Sequence, residues 1–288
     1  MKSIPFTIAA CIVLLAGALT SCETELDMTG IELNRRLVVN ALINDKDQLS
    51  ISVSNTVGIR ENTKPGPLQG ATVRVKDQFG NSTPFSFNLA TNRYEGGIVA
   101  QAGRYYRVEV SAPGYTDVWA ELTMPQPGSF QKSNWRDSTG LDSFNFPTGT
   151  LTVNLNDPGG QSNYYRITIL YWDIISAEWK SLSPATNDAE LEQDGIPTDD
   201  GGYVISDRTF NGKKRSFGFI TPFGYSGQTP KFLVITESLS EEYYKYFKSL
   251  RDYQNPGGVF TEFTPVFSNV KNGVGVWAGS TIFRDTIQ

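Results

Sequence analysis

Arg104-Tyr105-Tyr106-Arg107-Val108-Glu109-Val110 is the stretch whose reading decides the fold. Tyr106, Val108 and Val110 fall on one side of an extended chain, and Tyr105, Arg107 and Glu109 on the other. Strict alternation of this kind marks a half-buried β-strand, because successive side chains point to opposite faces of the sheet. The same period of two recurs on either side of it. Leu37, Val39, Ala41 and Ile43 alternate with Val38, Asn40 and Leu42; Leu49, Ile51 and Val53 alternate with serines. Ala71 to Asp77 reads as a strand ending at Gln78-Phe79-Gly80-Asn81, whose Gly and Asn tolerate positive φ in a hairpin. Phe85 and Phe87, then Val118, Ala120, Leu122 and Met124, complete the set. Short strands with turns between them predict an antiparallel β-sandwich over residues 36–125.

Pro125-Gln126-Pro127-Gly128 closes that region. The polar residues that follow read as a linker, 126–147, before a second β-rich domain at 148–288. Leu151, Val153 and Leu155 open the second domain. Tyr164 to Asp173 is apolar on both faces, which suits a central strand. Asn211-Gly212 is a hairpin signal, followed by the basic knot Lys213-Lys214-Arg215. One amphipathic helix is expected at 239–253. Ser238 and Glu241 have capping-box spacing, and Tyr243, Tyr246, Phe247 and Leu250 form the i, i+3, i+4, i+7 stripe of a helix docked on a sheet. The fold class is therefore mainly β: a sandwich, then a β-rich domain with one helix packed on it.

The N-terminus reads as an address. Lys2 and the broken apolar run from Ile4 to Leu19 have the shape of a signal peptide, too short for a comfortable membrane span. Leu19-Thr20-Ser21-Cys22 resembles the lipobox of bacterial lipoproteins, which makes residues 1–21 a signal peptide and Cys22 the lipidated first residue. The alternative is ordinary cleavage near Ser21, leaving Cys22 as a free thiol. Lipidation is preferred because Cys22 has no partner once Cys11 is removed, and an exposed thiol is a liability in an oxidising compartment. Residues 22–35 form a tether that opens with Glu23, Glu25 and Asp27. That acidic start resembles the export signal of Bacteroidetes lipoproteins carried to the outer leaflet. The expected location is the outer membrane, lipid-anchored, at the cell surface.

Composition removes several chemistries. The 288 residues contain no histidine, which excludes a Ser-His-Asp triad, a Cys-His nucleophile and imidazole zinc sites. With Cys22 lipidated, thiolate catalysis goes too. A formal charge of −5 without a basic block makes a poor nucleic-acid binder. What remains is carboxylate, Tyr or Lys chemistry, and oxygen-ligand metal sites. Residues 187–202 hold six acids and no base, with Asp194, Asp199 and Asp200 as candidate calcium ligands. An EF-hand register starting at Glu190 fails, because its twelfth position is Gly201, so a solvated surface loop is the competing reading. Trp172, Trp179 and Trp277 are candidate ligand-stacking residues, with core packing the competing role. Asp199 with Asp207 is the pair that a glycan hydrolase would need. No cofactor is expected.

Two resemblances follow from these landmarks. Gly70-Ala71-Thr72-Val73, Tyr94, Gly103 to Ser111 and Pro113-Gly114-Tyr115 resemble the prealbumin-like sandwich of carboxypeptidase regulatory-like domains. Over nearly the whole mature chain, the lipobox, Asn156-Asp157-Pro158, Asn163-Tyr164-Tyr165-Arg166, Ser206-Asp207, Phe210-Asn211-Gly212-Lys213, Ser240-Glu241-Glu242-Tyr243-Tyr244 and Ser268 to Gly275 resemble the Bacteroidetes domain of unknown function 4249 family. That resemblance implies an outer-membrane lipoprotein found beside TonB-dependent receptors, and it brings no catalytic residues with it. The function expected is a non-catalytic binding or accessory protein for a TonB-dependent receptor in nutrient uptake. A structural or adhesive surface protein is the alternative, and a carboxylate glycan hydrolase comes last.

Overall fold

The computed structural model describes residues 34–58, 64–186, 188–222, 230–255 and 264–287. Cys22, the signal segment 1–21 and the tether up to residue 33 lie outside the described residues. Residues 35–287 belong to one compact unit.

The chain is mainly β, as its alternation predicts. Seven strands come first: β1 (Leu37–Asn44), β2 (Gln48–Asn55), β3 (Thr72–Asp77), β4 (Ser82–Asn88), β5 (Arg93–Val99), β6 (Tyr105–Ser111) and β7 (Val118–Thr123). They lie side by side in the order β1-β2-β5-β4-β3-β6-β7. Tyr106, Val108 and Val110 are buried with Val39, Ala41, Ile51, Val73 and Leu122 in a first core. The β3–β4 hairpin is set as expected: Gly80 has φ 81°, and the Asp77 carboxylate accepts from the amides of Phe79 and Asn81, both at 2.9 Å.

The second half contributes β8 (Ser129–Leu141), β9 (Pro147–Asn156), β10 (Tyr164–Asp173), β11 (Glu178–Leu182), β12 (Ala185–Thr186), helix α1 (Ala189–Gln193), β13 (Ile196–Pro197), β14 (Tyr203–Ser206), β15 (Lys214–Pro222), β16 (Phe232–Leu239), helix α2 (Glu241–Gln254) and β17 (Val274–Ile287). β12-β15-β9-β8 form a separate four-stranded sheet. Its Leu151, Val153, Phe217 and Phe219 meet Tyr165, Ile167, Phe232 and Val234 of the large sheet in a second core. β10 is central, hydrogen-bonded to β14 on one side and along its length to β16 on the other.

β17 joins the halves. Val274 to Ser280 pair in parallel with β1, and Ser280 to Ile287 pair antiparallel with β16. The path β13-β14-β10-β16-β17-β1 thus runs on into the first seven strands as one sheet. That sheet curls until β7 meets Lys271: the Lys271 amide donates to the Trp119 carbonyl at 2.8 Å. Trp277 and Val270, far along the chain, are buried in the first core. A boundary drawn at 148 therefore assigns to the second half residues that complete the first.

Three further expectations are corrected. The segment 126–147 is not a linker, since most of it is β8, paired with β9. β8 lies at a sheet edge with ten of its thirteen residues exposed, so it lacks the apolar alternation that would have marked it. The helix begins later than Ser238, because Ser238 and Leu239 still pair with Tyr165 and Tyr164 of β10. Ser240 is the N-cap, its hydroxyl accepting from the Tyr243 amide at 3.3 Å. Residues 188–202 are not a solvated loop. Asp188 caps α1, Leu191 and Ile196 are buried, and Arg215 of the basic knot donates to the Asp188 carboxylate at 2.5 Å.

Candidate functional site

Most of the sequence landmarks are turn and packing devices, and they converge on one end of the large sheet. The buried Asp157 carboxylate accepts from the Tyr165 hydroxyl at 2.6 Å and from the Gly212 amide at 2.7 Å, locking the Asn211-Gly212 hairpin onto the central strand. Burial is the first cause that pushes the Tyr165 hydroxyl up, and the Asp157 bond adds to it. Asn163 donates to the carbonyl of Pro158 and, at 3.3 Å, to Asp207. Asp207 is 2% exposed, and burial raises its pKa above the ordinary carboxylate value. Near the chain end, Asn269 brackets Trp277, accepting from its amide at 2.9 Å and donating to its carbonyl at 2.8 Å. The Ser240 hydroxyl also takes the Gly279 amide, so α2 is pinned to β17.

Between the sheet and α2 sits a buried charge pair. Arg166 donates to Glu237 at 3.0 Å and also to Asp200, and its guanidinium lies 5.6 Å from the Phe247 ring. Glu237 is further bonded by the Ser280 hydroxyl at 2.7 Å. Burial pulls the Arg166 pKa down, but Glu237 and Asp200 hold it above its ordinary value. Asp200 is pushed up by burial and brought below its ordinary value by Thr198 and Arg166.

Two cavities open beside these devices. The first, of about 590 Å³, lies between α2 and the β14 end. Tyr164 stacks on Tyr244 there, with ring centroids 4.5 Å apart and planes at 19°. Tyr244, Lys248 and Arg251 share one face of α2 by i, i+4, i+7 spacing and line this cavity. Arg208 lines it from the turn after β14 and donates to Asp194 at 2.7 Å. Arg251 is bonded to Asp252 at 2.9 Å, whereas Lys248 is exposed and has no ion partner among the described residues. The second cavity, of about 550 Å³, shares Ser162 and Tyr164 with the first. Gln126, Gln161, Asn163, Ser238 and Glu241 are among its walls. The Ser238 hydroxyl, on a residue 5% exposed, has no hydrogen-bond partner among the described residues. Glu241 at this end is paired with Lys245 at 2.9 Å.

The residues singled out from the sequence lie largely elsewhere. Trp277 is fully buried, its indole donating to the Tyr106 carbonyl at 3.3 Å, so its stacking role is corrected to core packing. It sits on the face of β17 that the first core covers. Trp172 and Trp179 face each other across β10–β11 at 5.4 Å and 73°, with the Lys231 ammonium 5.7 Å from each ring. They occupy the end of β10 away from Tyr164. Asp194 and Asp200 are engaged by Arg208 and Arg166, and Asp199 is exposed. Among the described residues no three acids gather where a metal ion could be held. Asp207 lines the first cavity and Asp199 is not among its lining residues. Arg208, Lys248 and Arg251 escaped the sequence reading because an exposed cation on a helix or turn has no periodic signature. Tyr164 and Tyr244 stood inside the family landmarks, without a sign that they would meet.

The family model described as Domain of unknown function (DUF4249) matches residues 23–286. No curated protein matches the chain. Among solved structures, a DUF4785 family protein from Legionella pneumophila is similar at 12% identity with a TM-score of 0.26, over 71% of this chain and 53% of that one. The chain thus spans about half the length of that structure, and so loose a likeness carries no functional inference.

Proposed function

From the premise that this chain belongs to the family described as Domain of unknown function (DUF4249), we propose that it is a non-catalytic binding lipoprotein. In this reading Cys22 carries the lipid, the folded part is displayed at the outer surface of the outer membrane, and the protein serves a TonB-dependent receptor in nutrient uptake. The observation that carries the binding role is the pair of adjoining cavities sharing Tyr164. Each is of the size of small-molecule sites, and polar groups converge on both. The absence of histidine from the sequence argues against a Ser-His-Asp hydrolase, and Asp199 does not line the cavity that Asp207 lines. No cofactor or calcium ion takes part. Each buried acyl methylene contributes about 0.8 kcal/mol, and several chains make the attachment lasting.

The test is a pull-down of tagged full chain from native outer membranes in mild detergent, with mass spectrometry of stoichiometric partners. Fatty-acid labelling of the wild type and of Cys22→Ser runs beside it. A TonB-dependent barrel in near-equal amount, and label lost with Cys22→Ser, is the expected result. An intact, surface-exposed protein with no partner would remove the accessory role, and unlabelled wild type would remove the anchor. A second reading, an adhesive surface protein, has its own support: the hairpin tips carry exposed Phe144 and Ile175, 78% and 94% accessible. Self-association or host-polymer binding abolished by Phe144→Ser with Ile175→Ser would favour it.

A further inference from the structure

The two cavities differ in chemistry, and the difference has a direction. The first offers three cations against two acids, Asp194 and Asp207, with an aromatic wall; the second offers amides, hydroxyls and one acid. Resting on the binding role above, we propose that they form one groove for an acidic oligosaccharide. A uronate carboxylate lies between Arg208 and the Lys248–Arg251 face, and a neutral ring lies against Ser238.

Three observations support this assignment. Arg208, Lys248 and Arg251 line the first cavity together, from the turn after β14 and from α2, and such cations receive a carboxylate, with arginine able to hold both oxygens. The stacked Tyr164–Tyr244 pair borders the same cavity, and pyranose C–H faces pack on such rings. Gln126 and Gln161 line the second cavity with amides that sugar hydroxyls could bond, beside Ser238, whose buried hydroxyl has no partner among the described residues. An acidic peptide is the competing ligand, because extended peptides add to open strand edges and Ile196 of β13, the end strand of the large sheet, also lines the first cavity.

Arg208 is held by Asp194, so an incoming carboxylate must displace that acid. This gives a test in which a variant gains affinity, an effect that misfolding cannot produce. Full chain in detergent is titrated calorimetrically with short galacturonate, mannuronate and glucuronate oligomers. Neutral malto-oligosaccharide and polyglutamate of equal length serve as comparators. At least one uronate oligomer binds about tenfold more tightly than the neutral chain and the peptide, and added salt weakens it. Lys248→Glu lowers that affinity about tenfold, and Asp194→Asn raises it several-fold. Failure of all three uronates to outdo the neutral chain overturns the proposal, as does tighter binding of polyglutamate. Indifference to both substitutions overturns it as well. Mass spectrometry of the recovered sugar separates the two levels. A cleaved oligomer removes the non-catalytic role while leaving the groove assignment standing, and an absent receptor in the pull-down removes only the accessory role.

Discussion

Replacing Trp277 by alanine tests whether the last strand holds both halves of the molecule. Its side chain is fully buried in the first core, next to β6, although it lies eleven residues from the chain end. Removing a buried tryptophan costs about 3–5 kcal/mol through lost transfer energy and the cavity left behind. With a urea slope of about 3 kcal/mol per M, a loss of about 4 kcal/mol lowers the midpoint by about 1.3 M. The more telling quantity is where the loss is felt. β17 pairs with β1 along its first half and with β16 along its second, so loosening it disturbs both cores. Hydrogen exchange read peptide by peptide should show β3 and β6 losing protection together with β10 and β16. If β3 and β6 lose protection while β10 and β16 keep that of the wild type, the halves are independent and the reasoning from the shared sheet is refuted.

Three other outcomes are expected. Arg166→Met leaves Glu237 buried without its partner and should cost about 3–5 kcal/mol in chemical denaturation. The double change with Glu237→Gln should be markedly milder, and equal losses would deny the pair its role. Ser240→Ala removes the cap of α2 and a bond to the Gly279 amide. It should cost about 1 kcal/mol, with exchange protection lost first at the start of α2. Glu109 is held below its ordinary pKa chiefly by Lys76, against the opposing effect of burial. A depressed carboxylate adds stability above its unfolded pKa and loses it as pH falls through the folded value. Lys76→Met should therefore raise the Glu109 titration midpoint seen by NMR and flatten the acid limb of stability against pH. An unchanged midpoint would rule out the coupling.

How much was legible follows from the range of each interaction. Tyr106, Val108 and Val110 announced a strand because burial on one face imposes a period of two on the local sequence. The Tyr243 stripe announced a helix for the same reason at a longer period. β8 stayed hidden because an exposed edge strand needs no alternation. Ser238 looked like a cap because the spacing to Glu241 fits, but pairing of Ser238 with Tyr165 continues β16 past it. The tryptophans drew notice as large rings, yet Trp277 lies in the core, and the first cavity instead brings together Tyr164, Tyr244, Arg208 and Lys248.

By itself, the sequence determined the β-rich class, the strands with a buried alternating face such as β1, β6 and β10, the presence of α2, the family landmarks and the chemistries that a chain without histidine must forgo. These depend on residue type and on neighbours a few positions away. Tertiary structure alone decided that β17 closes the first core, that Arg166 and Glu237 are a buried pair, and that two cavities meet at Tyr164. Each of these joins groups distant along the chain, and no local pattern records a contact that only forms when the sheet closes.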